Sequence, residues 1–471
     1  MAERNAPPLQ DETLSRRLTF LGMVMIALSG ILIARLLSFQ FRMDPKVKEQ
    51  LELSAENRQS QTVELLPSRG EIYDRNGYLL AVNTFEYRIG ISPTSLLDRE
   101  EVARELAPLL NVSEDEIYRD LSPDADGDYP AYVMLAPLVN YETGQAILEL
   151  DIDGMQVETI PSRIYPQGSL TGQIVGFFAG AEDNRHGRGY WGVEGYYQTW
   201  LAGQSRRIRE SNIPNEENNT NNVQNGIDIE LTIDRDLQNL AQEVLDQAVI
   251  EYGAVGGGTI IIMNPRTGEI LAMANNPNFD PNNTASAENM NRARNQAISD
   301  VYEPGSVFKV LTMAMALEAG THDLNWTYYD KGCDMMYGVQ ICDWNRVSNG
   351  NPTFSEVFIR SWNLGTSTIF DQMQQQLGGP QPVYDMMENF GIGSKTGVDM
   401  EGEEDGLLVE PSSPDWSAGQ YLNNSFGQGV AVTSLQMLTA VNAIANDGLI
   451  MQPHIVRARI ENGQRIEIQP S

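Results

Sequence analysis

Leu18 to Ala34 is seventeen residues without a charge, and after one interruption at Arg35 the apolar run resumes from Leu36 to Phe41. A stretch of this length spans a bilayer as a single helix if the Arg35 guanidinium reaches back to the interface. The chain is thereby divided into a short tail (1–17), an anchor (18–41) and one large body after it. A cleaved signal peptide is the rival reading, but no small-residue cleavage pattern follows the run. Three arginines precede the span, and Arg42, Lys46, Lys48 and Arg58 follow it, so charge does not decide which side of the membrane holds the body.

The net charge of −32 argues against a nucleic-acid partner, whose phosphates require Lys and Arg. The three histidines, His186, His322 and His454, are scattered without ligand spacing. A histidine-based metal site or a Ser-His-Asp triad is therefore poorly supported, and no cofactor or metal is expected. Cys333 and Cys342 are the only cysteines. They close a small loop if the body lies outside the cytoplasm, or remain two buried thiols if it does not. The spacing is not that of a redox or zinc motif.

Asp44 to Gln61 reads as a polar helical stalk. Asn76-Gly77 between apolar runs signals a type I′ hairpin. A helix is expected over Asp98–Leu110, and the asparagine-rich segment from Ser211 to Asn225 reads as an exposed loop or hairpin tip. Ile229–Ile233 is a short strand. Asp236–Ala248 is an amphipathic helix with Leu237, Leu240, Ala241, Val244, Leu245 and Ala248 on its apolar face. A hairpin follows, Gly258–Asn264 and Glu269–Ala274, its β-branched first strand suited to burial. These changes place a domain boundary near 228.

The chemistry concentrates in Tyr302-Glu303-Pro304-Gly305-Ser306-Val307-Phe308-Lys309. Pro304 and Gly305 break the preceding element, and a helix is expected from Val307 to Ala319. Ser306 then lies at or next to the N-cap, among free N–H groups and the positive end of the helix dipole, where an oxyanion is favoured. Lys309 falls on the same face and can serve as base for the serine if its amine is desolvated. A serine cap with a solvated lysine is the bland reading. Against it, the chain has five lysines and twenty-seven arginines, so an exposed cation here would more naturally be Arg.

In order along the chain, these motifs resemble one family, the class B penicillin-binding proteins. Arg69-Gly70-Glu71-Ile72-Tyr73-Asp74-Arg75-Asn76-Gly77 is similar to the segment that opens the family's pedestal. Arg163-Ile164-Tyr165-Pro166, Gly192-Val193-Glu194 and Leu201-Ala202-Gly203 are similar to further pedestal signatures. Leu231-Thr232-Ile233-Asp234 with Gln238 resembles the opening of the transpeptidase domain. Tyr302 to Lys309 resembles the nucleophile motif and Ser361-Trp362-Asn363 the second motif. Phe426-Gly427-Gln428-Gly429, Val432-Thr433 and Leu435-Gln436 resemble the stretch that follows.

The resemblance implies an α+β protein: an N-terminal transmembrane helix, an elongated strand-rich pedestal (42–227) and a transpeptidase domain (228–471) of a sheet with packed helices, the serine helix through its centre. It implies peptidoglycan cross-linking by acyl transfer from the D-Ala-D-Ala end of a stem peptide, with inhibition by β-lactams. Ser306 would be the nucleophile, Lys309 its base, Ser361 a proton relay and Asn363 a hydrogen-bonding partner of the lysine or substrate. The implied partners are stem peptides, β-lactam antibiotics, the membrane and a membrane glycan polymerase, and the implied location is the bacterial cell membrane with the body outside the cytoplasm.

The family's third motif, Lys-Thr/Ser-Gly, should follow Gly429. Lys395-Thr396-Gly397 precedes it, in surroundings that resemble a different family segment, and is read as a look-alike. On that reading the chain stops at Ser471 short of the third motif, either as a fragment of a longer protein or as a truncated product without full catalytic machinery, and a chain ending there is expected to fold its second domain poorly and to be weakly active. One alternative is a non-catalytic membrane-anchored partner that activates a glycan polymerase. Another is a β-lactam sensor or serine β-lactamase, which has no use for the 69–77 segment.

Overall fold

The computed structural model describes residues 11–42, 60–65, 67–181, 184–211 and 223–469. The stalk read at 44–61 and the asparagine-rich loop fall mostly outside them. The chain forms two compact units. The first contains the helix Asp11–Arg42 and an antiparallel pair, Ser60–Leu65 with Arg206–Ser211. Arg16–Ser38 is, among the described residues, the one helix long and apolar enough to cross a membrane, and its hydrophobic side chains are exposed. This is compatible with a single-pass anchor.

The second unit is built on a seven-stranded sheet. Its order is Gln464–Glu467, Val456–Glu461, Asp228–Leu231, Ile72–Tyr73, Leu79–Ile91 and Val133–Val139, with Met155–Ile164 also paired to Leu79–Ile91. Asp228–Leu231 runs parallel to Ile72–Tyr73 and antiparallel to Val456–Glu461, so one sheet draws strands from both sides of residue 228. Ile72, Leu80, Ile229, Leu231, Ile455 and Val456 belong to one buried core cluster around it.

The family-like signatures at 69, 163–165 and 194 converge on one buried ion cluster. The Glu194 carboxylate is fully buried between Arg69 and Arg163. Arg69 Nε donates to Glu194 Oε2 at 2.8 Å, and Arg163 Nη2 donates to the Gly70 carbonyl at 2.7 Å. Tyr165 Oη accepts from the Phe178 N–H at 2.6 Å. Each charge is tolerable inside only because the others are present.

Three local expectations are corrected. The turn at Asn76-Gly77 is not type I′, because only Gly77 has positive φ (85°). Instead the Gly77 N–H closes on the Asp74 carbonyl at 3.1 Å. The Asp74 carboxylate, accepting from the Asn76 and Tyr78 N–H groups at 2.8 Å each, selects this longer loop. The helix after 234 spans Arg235–Tyr252 but leaves Leu240 and Val244 exposed while burying Gln238 and Gln242. The reason is the polar edge it covers: Gln238 exchanges hydrogen bonds with the Met273 backbone (2.7 and 3.0 Å), and Gln242 Nε2 donates to Asn275 O at 3.0 Å. In the hairpin Gly258–Met263/Ile270–Asn276, the second strand is the buried one. The first is half-buried along its length, with the second as its only strand partner among the described residues.

Candidate active site

Ser306 is not a helix cap. Gly305–Phe308 forms a 3₁₀ turn that leads directly into the helix Lys309–Glu318, and Pro304 stands at the N-cap. Pro304 makes no side-chain cap, so the turn begins on backbone geometry alone and the exposed Ser306 hydroxyl is not spent on capping. Among the described residues its Oγ makes no hydrogen bond.

The turn is held from behind. Val301–Tyr302 pairs with Val432–Thr433, the Gly305 N–H donates to Gly427 O at 2.9 Å, and Glu303 Oε1 accepts from the Gly429 N–H at 2.7 Å. Gly427 has φ +77°, and a Cβ there would lie 2.2 Å from the Gly305 carbonyl oxygen. Only glycine brings the Phe426–Gly429 segment this close to the serine turn. Phe308, Leu311 and Met315 root the helix in a core with Phe354, Phe370 and Tyr421.

Lys309 is the unusual residue. Its side chain is among the largest fully buried ones in the molecule, 1 % exposed. Nζ donates to Ser361 O at 2.7 Å, to Asn363 Oδ1 at 2.7 Å and to Ser361 Oγ at 3.1 Å. Burial pushes its pKa down to about 8, with the Asp343 carboxylate pulling weakly the other way. The two carbonyl-type oxygens can only accept. A neutral amine, with two N–H groups, must give both to them, and its lone pair is left for a hydroxyl. None of the lysine's hydrogen bonds reaches Ser306 itself.

Ser361 sits between the helices Phe354–Ile359 and Asn363–Leu377 with φ +58°, a left-handed conformation rare for serine. There its carbonyl and hydroxyl can both meet Lys309. Asn363 opens the second helix, and its Nδ2 donates to Cys342 O at 3.2 Å, which turns Oδ1 toward the lysine. Cys333 and Cys342 are joined as a disulfide across the hairpin Cys333–Met336/Val339–Cys342. The structure thus brings Lys309, Ser361 and Asn363 together, with Ser306 three residues before the lysine on the exposed turn. Sequence reasoning missed Asp343 and the Cys342 carbonyl. No motif marks either, and a backbone acceptor leaves no signal in residue type.

Lys395-Thr396-Gly397 makes other contacts. The Lys395 amine faces Asp405 at 3.6 Å with both side chains more than half exposed, and the Thr396 and Gly397 N–H groups donate to Glu403. The same segment ties distant parts together: the Asp399 carboxylate accepts from Tyr197 Oη (2.8 Å) and the Ile455 and Val456 N–H groups (2.6 and 3.0 Å). Among the described residues no cluster of His, Cys, Asp and Glu is arranged to hold a metal ion.

Two family models match the chain: "Penicillin binding protein transpeptidase domain" over residues 258–470 and "Penicillin-binding Protein dimerisation domain" over 64–231. Stage V sporulation protein D of Bacillus subtilis (strain 168) is 32% identical over 465 residues, covering 96% of this chain and 68% of that protein. The chain belongs to the class B penicillin-binding proteins. Within this family it is also 30% identical over 452 residues to the probable peptidoglycan D,D-transpeptidase PenA of Neisseria gonorrhoeae, covering 93% and 73% of the two chains. Among solved structures, penicillin binding protein 3 of Mycobacterium tuberculosis, complexed with aztreonam, superposes with TM-score 0.61 at 27% identity, covering 87% and 71%. A peptidoglycan synthetase from Bifidobacterium adolescentis ATCC 15703 superposes with TM-score 0.62 at 26% identity, covering 88% and 78%.

Proposed function

We propose that this penicillin-binding protein is a serine-type peptidoglycan D,D-transpeptidase. The observation that carries the reading is the buried Lys309 amine, desolvated enough to be partly neutral near physiological pH and confronted by the Ser361 hydroxyl once its two N–H groups are used. Ser306 Oγ attacks the carbonyl carbon between the two terminal D-alanines of a stem peptide, and its proton passes to Lys309. First-turn N–H groups and the helix dipole favour the oxyanion. The C–N bond breaks, and the departing D-alanine amine takes a proton relayed through Ser361 Oγ. Asn363 Oδ1 keeps the lysine oriented. The ester on Ser306 is then attacked by the amine of a neighbouring stem, which forms the cross-link and returns the proton to Ser306 Oγ. A β-lactam offers the same acyl carbon and stops at the ester.

We assign anchoring to 18–41, a pedestal role to 42–227 and acyl transfer to 228–471. The body is placed outside the cytoplasm, which the Cys333–Cys342 disulfide supports. A membrane glycan polymerase is the proposed partner of anchor and pedestal, a reading supported by the family resemblance. The test is D-alanine release and dimer formation by the whole chain in detergent micelles supplied with pentapeptide stems. Activity lost in Ser306→Ala supports the reading. Equal D-alanine release by wild type and Ser306→Ala would overturn it.

A further inference from the structure

Adjacent residues at the exit of the disulfide-bonded hairpin grip adjacent residues at the start of the Asn363 helix. Cys342 O accepts from Asn363 Nδ2 at 3.2 Å, and Asp343 Oδ1 accepts from the Leu364 N–H at 2.9 Å. The preceding Ile341 is buried against Leu364 and Phe426. Trp362, at the helix N-cap, supplies no side-chain cap, so the Asp343 carboxylate takes that place from another element. Asp343 is itself 1 % exposed, and Asn349 Nδ2 approaches its other oxygen at 3.4 Å.

We propose that Asp343 is a positioning residue for the acyl-transfer centre: it clamps the first turn of the Asn363 helix so that the Asn363 amide oxygen faces Lys309. This rests on the acyl-transfer reading of Ser306 and Lys309. The clamp fixes hydrogen-bond polarity. With Nδ2 held by Cys342 O, only Oδ1 is available to the amine, and the amine must donate to it. A loosened helix start frees the amide to turn its NH₂ toward the lysine, and the lone pair loses its set direction. The charge acts separately. The Asp343 carboxylate raises the lysine pKa against the effect of burial, and Asp343 itself lies in the field of Asp330 and acts on the Tyr328 hydroxyl. Burial and the Asp330 carboxylate raise the Asp343 pKa above the ordinary carboxylate range, while the Leu364 N–H and the lysine cation favour its charged form.

Two variants separate the roles. Asp343→Asn keeps an oxygen for the Leu364 N–H and removes the charge; Asp343→Ala removes both. With only five lysines in the chain, the Lys309 Cε signal of the ¹³C-lysine-labelled chain can be followed through its titration. Its midpoint is expected to fall by about half a pH unit or more in both variants, because the neighbouring anion is gone. The high-pH plateau of acylation by a fluorescent penicillin is expected to stay within about threefold of wild type in Asp343→Asn and to drop about tenfold or more in Asp343→Ala. Amide exchange at Leu364 should quicken only in Asp343→Ala, and a retained cooperative melt in Asp343→Asn keeps misfolding from mimicking the result. An unmoved lysine titration in Asp343→Asn, or an undiminished plateau in Asp343→Ala, overturns the proposal. If the wild type is not acylated at all, the acyl-transfer reading fails, and the lysine titration with Leu364 exchange still decides whether Asp343 positions this cluster.

Discussion

Replacing Lys309 by Arg is the sharpest perturbation of the centre, because it keeps a cation and removes the option of neutrality. With the lysine pKa at about 8, roughly 1% of the amine is neutral at pH 6, about 10% at pH 7 and about half at pH 8. Acylation that needs the neutral form should therefore rise about 50-fold from pH 6 to pH 8 and level off above pH 9. A guanidinium does not lose its proton in this range, so Lys309→Arg should show no such rise. Its rate at pH 8 should fall by the worth of a general base, about 10²–10⁴-fold. Stopped-flow mixing with a fluorescent penicillin from pH 6 to 9.5 reads both quantities, with a melting curve at each pH to confirm folding. A wild-type rate independent of pH, or a Lys309→Arg rate within threefold of wild type, would refute the reasoning.

The lysine should also show in stability. Its folded pKa of about 8 lies below the ordinary 10.5, so the cost of burying the ammonium is fully present below pH 8 and fades as pH rises to 10.5. Relative to Lys309→Met, wild type should gain about 3 kcal/mol across that window in urea titrations, and a constant difference would contradict the burial argument. Glu194→Gln leaves Arg69 and Arg163 facing each other without their anion, and should cost about 3–5 kcal/mol by urea denaturation; a loss under 1 kcal/mol would show the cluster to be solvated. Gly427→Ala forces a Cβ against the Gly305 carbonyl at positive φ, and should lower both the melting temperature and the acylation rate; unchanged acylation would uncouple that segment from the serine turn. Lys395→Ala should leave acylation within twofold, since that amine meets only an exposed carboxylate, and a tenfold loss would return Lys395 to the centre.

What the sequence made legible was set by residue type and order. The apolar run became a helix because a bilayer-length segment without charge has little else to be. Ser306, Lys309, Ser361 and Asn363 could be proposed because scarce chemistry-bearing residues stood at helical spacing or in a known order, and the fold brings the last three of them together. The geometry behind them was not legible. The left-handed backbone at Ser361 follows from two helices meeting, and nothing in a serine codes for it. Asp343 reads as one acid among sixty-four Asp and Glu until the disulfide hairpin carries it to the Asn363 helix. Gln238 and Gln242 displaced Leu240 and Val244 from the buried face because a strand backbone there required hydrogen bonds, which apolar periodicity cannot register. The pedestal signatures were separate strings until Glu194 drew Arg69 and Arg163 together.

The most direct measurement is the site of covalent modification. The 471-residue chain is incubated with a penicillin, digested with trypsin, and the Asn295–Lys309 peptide is sequenced by mass spectrometry. One intact penicilloyl adduct is expected, on Ser306, absent from Ser306→Ala and strongly reduced in Lys309→Arg. An adduct on another residue, or one that persists in Ser306→Ala, would contradict it.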